Sequence, residues 1–270
     1  MADLLQLLGT GWAAAAGLMV LLWLSQLRTR NAGIVDVGWA AGTGSLAILY
    51  GVLGDGDPSR RVLLAALGGA WGWRLAWHLW RDRIWKQPEE GRYVTLRKQW
   101  SPHPDRAFFI FFQAQALAAV VLSLPFALAA RAPQAFPAVF DLVALGLVVI
   151  GVVGETVADR QLVAFKKDPG SRGRTCRSGL WRYSRHPNYF FEWILWCGFG
   201  VLGLAGPWGW IGLAAPALMI YTIVFVTGIP PTEAQAVASR GEDYRSYQRT
   251  TSPFVPWPPR DDPGPGEGDA

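Results

Sequence analysis

The stretch Arg182–Gly206 reads RYSRHPNYFFEWILWCGFGVLGLAG. Its first half carries two arginines, a histidine, an asparagine and a glutamate, and its second half is apolar. Crossing a membrane takes roughly 20 apolar residues, and ionisable groups inside that length are costly. A polar stretch that runs directly into a long apolar one therefore reads as a helix entering a membrane.

The same alternation repeats outward along the chain. Of 270 residues, 51% are hydrophobic and 17% charged, with 15 tryptophans. The charges crowd into short windows between long ones that hold almost none, which is the composition of a polytopic membrane protein. The apolar windows predict an all-α integral membrane protein of seven spans, at about 8–27, 33–54, 61–80, 107–130, 136–158, 189–206 and 208–228. The last two read as a tight hairpin around Gly206, Pro207 and Trp208. The first lacks a basic leader and a small-residue cleavage site, so it reads as a retained span.

Orientation follows from the basic residues. Arg28 and Arg30, seven from Arg81 to Arg106, eight from Arg160 to Arg185 and four in the C-terminal segment fall on one side. Arg60, Arg61 and Arg131 fall on the other. Positive charge collects in cytosolic loops, so the N-terminus is expected outside and the C-terminus in the cytosol. These loops also account for the net charge of +5 without any nucleic-acid partner. Residues 1–257 read as one transmembrane domain, and the Pro-, Gly- and acid-rich residues 258–270 as a disordered tail.

Some chemistries are disfavoured. Cys176 and Cys197 make no disulfide framework, and His78, His103 and His186 lack partners at metal-ligand spacing, so no metal is expected. GTGSLA at Gly42–Ala47 superficially fits a dinucleotide motif, but it lies inside an apolar span with no strand before it. Small residues there are expected to let helices approach closely.

Five ionisable residues stand in or at the ends of spans: Asp36, Arg74, Glu155, Asp159 and Glu192. By the topology above all lie toward the cytosolic loops, where they are expected to line one chamber open to the cytosol. Asp36 and Asp159 also read as ordinary polar residues near span ends. Asn188 and Glu192 are four apart and share a helix face, as do Glu155 and Asp159. The basic stretch Asp159–Arg185 ends at this point. Ser184 suits a helix cap, Pro187 a first turn, and Arg182 and Arg185 flank the exposed N–H groups, an arrangement that favours a phosphate. The same cations also suit anionic lipid. Farther on, Glu233, Ala236, Val237, Arg240, Tyr244, Tyr247 and Gln248 form a stripe at helical spacing, either a helix on the membrane surface or a lid over the chamber.

GLWRYSRHPNYFFEW (179–193) and TEAQAVASRGEDYRSYQRTTSPFVP (232–256) resemble the C-terminal signature of the steroid 5α-reductase superfamily, and most of all its DUF1295 branch. Sterol C14 reductases and isoprenylcysteine carboxyl methyltransferases share this core. The DUF1295 branch is the bacterial one, which implies a bacterial inner (plasma) membrane. The resemblance is strongest over about 155–256, with the cofactor-binding part at about 155–257, and continues through VDVGWAAG (35–42) and WGWRLAWHLWRDR (71–83). It implies seven transmembrane helices, NADPH bound from the cytosolic side, and hydride transfer to a conjugated enone of a lipophilic, steroid-like or isoprenoid substrate. It places the cofactor at Asp159, Lys166, Arg174, Asn188 and Glu192, and at Glu233, Arg240, Tyr244 and Tyr247. Tyr183, Arg185 and His186 lie in the same signature and are counted with them. Asp36, Glu192 and Arg74 are the catalytic candidates, and Asp82–Arg83 matches a further polar family position. The substrate half departs from steroid-reducing members, which place a Gln–Glu pair in the second helix and a tyrosine in the third. Here those positions read Val35-Asp36 and Trp71. The expected partners are a lipophilic small molecule and membrane lipid, with the protein a monomer. The rival readings are an S-adenosylmethionine-dependent methyltransferase of a membrane lipid or prenyl-cysteine substrate, and a non-enzymatic lipid-binding or assembly factor that kept the fold.

Overall fold

A computed structural model of the chain describes residues 2–262 and 264. Among the described residues the secondary structure is helical, without strands. The backbone divides into two compact units, Met1–Val143 with Phe199–Ala215, and Ala144–Gly198 with Pro216–Ala270.

The first unit contains α1 (Ala2–Thr29), α2 (Ile34–Leu53), α3 (Pro58–Leu79), a π-helical turn at Trp80–Ile84, α4 (Gly91–Gln99), α5 (Pro104–Leu122) and α6 (Leu124–Ala130). Asp57 caps α3, accepting from the N–H groups of Ser59 at 2.9 Å and Arg60 at 3.2 Å, with Pro58 in the first turn where its missing N–H costs nothing. Pro125 has no N–H to continue a helix, and the expected window 107–130 breaks at Ser123 into α5 and α6. The small residues of α2 pack on α3: a Cβ built on Gly72 would lie 2.6 Å from the Gly44 Cα and 2.7 Å from the Ala40 carbonyl oxygen. Beside this seam the buried Trp71 meets Trp39 and Phe199 edge-on, with ring centroids 6.4 and 6.0 Å apart.

At one end of this unit Arg60 and Asp141 form a bidentate pair at 2.6 and 2.7 Å. Both side chains are fully buried. Arg60 also donates to the carbonyls of Ala132 and Gln134, and Asp141 accepts the Ala138 N–H. This network ties the start of α3 to the loop preceding α7 (Val139–Lys167).

The second unit holds most of α7, the larger part of α8 (Pro187–Gly203), most of α9 (Ala214–Phe225), then α10 (Ile229–Arg240) and α11 (Glu242–Thr250). Glycines bring α7 and α8 together: Gly151 lies against Leu195, Gly154 against the Phe191 ring, and Gly198 against Val148.

Five segments are long and apolar enough to cross a membrane: Asp3–Thr29, Ile34–Leu53, Pro104–Leu122, Val139–Lys167 and Gly209–Arg240. The windows expected at 61–80 and 189–206 are also helical, as α3 and α8. They fall outside that group because Arg74, His78 and three tryptophans lower the hydropathy of α3, and α8 has 17 residues. The chain thus has the build of a multi-pass membrane protein.

Two expectations are corrected. The basic stretch from Asp159 is not a loop from its start, because α7 continues through Lys167. Charged residues end an apolar window without ending a helix. The stripe from Glu233 to Gln248 is not one helix, because Gly241, at φ 55°, turns the chain between α10 and α11. Of the tail predicted to be disordered, Arg260 N–H donates to the Thr250 carbonyl at 2.8 Å, and Asp262 pairs with Arg249 at 2.9 Å. Residues 263 and 265–270 lie outside the described residues.

Candidate functional site

In the second unit the polar residues gather at the start of α8. Ser184 is buried; its Oγ accepts the His186 N–H at 3.1 Å and donates to the Phe254 carbonyl at 2.8 Å. It thus fixes the turn into Pro187 and ties it to the C-terminal segment. Asn188 follows in the first turn. Its Oδ1 is buried and, among the described residues, accepts no hydrogen bond, a costly state for an amide oxygen. One turn on, Glu192 Oε1 accepts the indole N–H of the buried Trp196 at 2.9 Å, which fixes the carboxylate's rotamer.

Beside Ser184 lies a tight charged cluster. Arg185 Nε and Nη2 donate to Glu233 at 2.6 and 3.2 Å. Its Nη1 donates to the Gln248 and Thr251 carbonyls, each at 2.8 Å. Glu233 also receives Gln248 Nε2 at 2.7 Å and lies 3.1 Å from His186 Nε2. Arg185, His186 and Glu233, three of the expected cofactor residues, are therefore joined to one another. Most of the Arg185 donors already have protein acceptors, so the residue works chiefly as a staple of α10 and α11 onto the start of α8.

Tyr247 is buried, and its hydroxyl donates to the Trp181 carbonyl and, at 3.1 Å, to that of Ser184. Burial, reinforced by the neighbouring Tyr244, raises its pKa, so it remains a neutral donor. Burial and then the Glu233 charge raise Tyr244 as well. The Arg240 guanidinium lies 4.9 Å from the Tyr244 ring centroid, and among the described residues its buried Nε has no acceptor. Lys166, Arg174 and Tyr183 are exposed, and among the described residues neither of these two cations is ion-paired. On α7, Glu155 is buried and Asp159 half-buried.

In the first unit Asp36, in the first turn of α2, accepts the Tyr93 hydroxyl at 2.8 Å, is ion-paired with Arg92, and lies 3.6 Å from Arg83. Burial, and then the Asp36 charge, raise the Tyr93 pKa. Burial opposes the charge on Arg92, but Asp36, Tyr93 and Glu90 together more than offset it and keep the guanidinium protonated. Arg74 is half-buried on α3. Sequence reasoning missed Tyr93 and Arg92 because they lie 57 and 56 residues from Asp36. The available signal was a tyrosine beside an arginine within a basic connection.

No solved structure matches the chain significantly. It is 29% identical to "Uncharacterized protein C594.04c" of Schizosaccharomyces pombe, in an alignment covering 87% of this chain and 75% of that protein. A relative from a yeast gives no support to a bacterial inner membrane in particular. The DUF1295 family, described as proteins of unknown function, matches residues 22–251, and the chain belongs to that family.

Proposed function

We propose that the chain is an NADPH-dependent membrane reductase acting on the conjugated double bond of a lipophilic, steroid-like or isoprenoid substrate. In this reading it crosses the membrane seven times, α3 and α8 included, with its basic loops and C-terminus in the cytosol. The observation that carries the proposal is the buried Asn188 Oδ1 without a donor, one helical turn before Glu192. A buried acceptor left open on a packed helix is suited to a ligand amide N–H. Arg240 Nε is a buried donor left open in the same unit. The donor set fits a dinucleotide: an open amide oxygen, a carboxylate, aromatic hydroxyls and exposed cations.

NADPH, when bound, supplies a hydride. Asn188 and Glu192 would orient its carboxamide end, and Lys166 and Arg174 would take phosphate charge. Arg240, Tyr244 and Asp159 would contribute further polar contacts, while Arg185, His186, Glu233 and Tyr247 hold the surrounding backbone. On the substrate side, Asp36 and Tyr93 would hold a proton between Oδ1 and Oη, and Arg74 would supply positive charge.

Calorimetric titration of the purified chain with NADPH and with S-adenosylmethionine tests the reading. Saturable NADPH binding without S-adenosylmethionine binding supports it. S-adenosylmethionine binding alone replaces it with methyl transfer to a membrane lipid or prenyl cysteine. A folded protein that binds neither favours a non-enzymatic role.

A further inference from the structure

Helix α3 ends in an unusual run of aromatic and basic residues. Trp73, Trp77 and Arg81 are spaced four apart and lie along one face. The π-helical turn at Trp80–Ile84 then continues the stack. The Trp77 and Trp80 rings stack with centroids 5.3 Å apart, and Trp80 and Trp85 lie 4.8 Å apart. Lys86, held at φ 56°, places its Nζ 5.6 Å from the Trp85 ring. Trp73, Trp77 and Trp85 are 57%, 61% and 52% exposed, far more than a packed core allows.

The charges around this stack are asymmetric. Asp82 lies 3.6 Å from His78, and Arg83 pairs with Asp36 and Glu90. Among the described residues Arg81 and Lys86 have no carboxylate partner, and the indole N–H groups of Trp77, Trp80 and Trp85 have no protein acceptor. The patch therefore offers two unmatched cations and three open donors beside an exposed aromatic ladder. Indoles favour the headgroup level of a bilayer, where an apolar body and a polar N–H are both accommodated. The complementary partner is a phosphodiester with net negative charge whose acyl chains lie along the tryptophans. A zwitterionic headgroup is the poorer match, since it brings its own ammonium toward Arg81 and Lys86.

We propose that Trp77, Trp80 and Trp85, with Arg81 and Lys86, form a binding site for the headgroup of an anionic phospholipid. The proposal shares no residue with those assigned to cofactor and substrate, and does not depend on the reductase reading.

The test uses the full chain in nanodiscs of phosphatidylcholine with 30 mol% phosphatidylglycerol, released into native mass spectrometry to count retained lipids. The wild-type chain should keep phosphatidylglycerol in preference to phosphatidylcholine. Arg81→Gln/Lys86→Gln should lower retained phosphatidylglycerol roughly 10- to 30-fold, as expected for two cations at an anionic surface. Arg81→Lys/Lys86→Arg should restore it, and 10 mM inorganic phosphate should not displace it. Arg172→Gln, an exposed cation elsewhere, controls for general charge. Equal retention of both lipids by wild type, or equal loss in Arg172→Gln and the double variant, overturns the proposal. All the substituted side chains are exposed, so the variants should fold.

Discussion

The pair Arg60–Asp141 gives a sharp test of how the first unit is held together. Its side chains are 0% and 1% exposed and meet through two bonds of 2.6 and 2.7 Å. Asp141→Asn leaves the guanidinium charge buried without its counter-ion, and Arg60→Met leaves the carboxylate so. Each should cost about 3–5 kcal/mol, because the surviving partner keeps its desolvation penalty. Arg60→Met/Asp141→Asn strands no charge. It loses the two bonds to the carbonyls of Ala132 and Gln134, worth about 0.5–1.5 kcal/mol each. The double variant should thus cost about 1–3 kcal/mol, well below the summed singles. Thermal unfolding of the purified chain in detergent is the assay, with a shift of about 2–4 °C per kcal/mol for a chain near this size. Single variants should fall on the order of 10 °C, and the double variant should recover part of that loss. Additive shifts, within about 0.5 kcal/mol of the summed singles, would refute the argument that the pair acts as one unit.

Three further outcomes follow from other contacts. Gly72→Ala should lower stability by about 1–3 kcal/mol in the same assay, since its Cβ would press on the α2 backbone, whereas Gly17→Ala, with nothing within 4 Å, should be neutral or stabilising. Replacing Arg185 by Lys, or Glu233 by Gln, should loosen α10 and α11 and speed limited proteolysis between residues 229 and 250 by roughly 30- to 150-fold, read from fragment masses. Burial raises the pKa of Tyr93 and Tyr247, so the folded state holds their protons more tightly than the unfolded chain. Their contribution is therefore complete below about pH 10, the unfolded value, and lost as pH rises toward the folded values. Stability measured against pH should fall above about pH 10, and less steeply in Tyr247→Phe.

Local patterns in the sequence were readable where local physics decides the outcome. The apolar windows became helices, and the small residues of Gly42–Ala47 serve helix contact, with Gly44 against Gly72. Ser184 was expected as a cap and does fix the turn into α8. What stayed hidden depends on partners distant in the chain. Arg185 reads from sequence as a free cation at a helix start, yet its acceptors lie 48 to 66 residues away. Asp36 reads as a carboxylate in an apolar span, and only the fold brings Tyr93 to it. Helix ends were obscured for a different reason: Lys166 and Lys167 suit the last turn of α7 by opposing its dipole, while hydropathy alone places them in a loop.

The central claim is that the first turn of α8 receives the polar end of a nicotinamide cofactor. The most direct measurement is the NADPH dissociation constant of the wild-type chain beside Asn188→Ala and Glu192→Gln, with thermal unfolding confirming that each variant folds. The account predicts saturable binding by wild type and weakening of roughly tenfold or more in each variant, about 1.4 kcal/mol per lost polar contact. Binding by both variants as tight as that of wild type would contradict it.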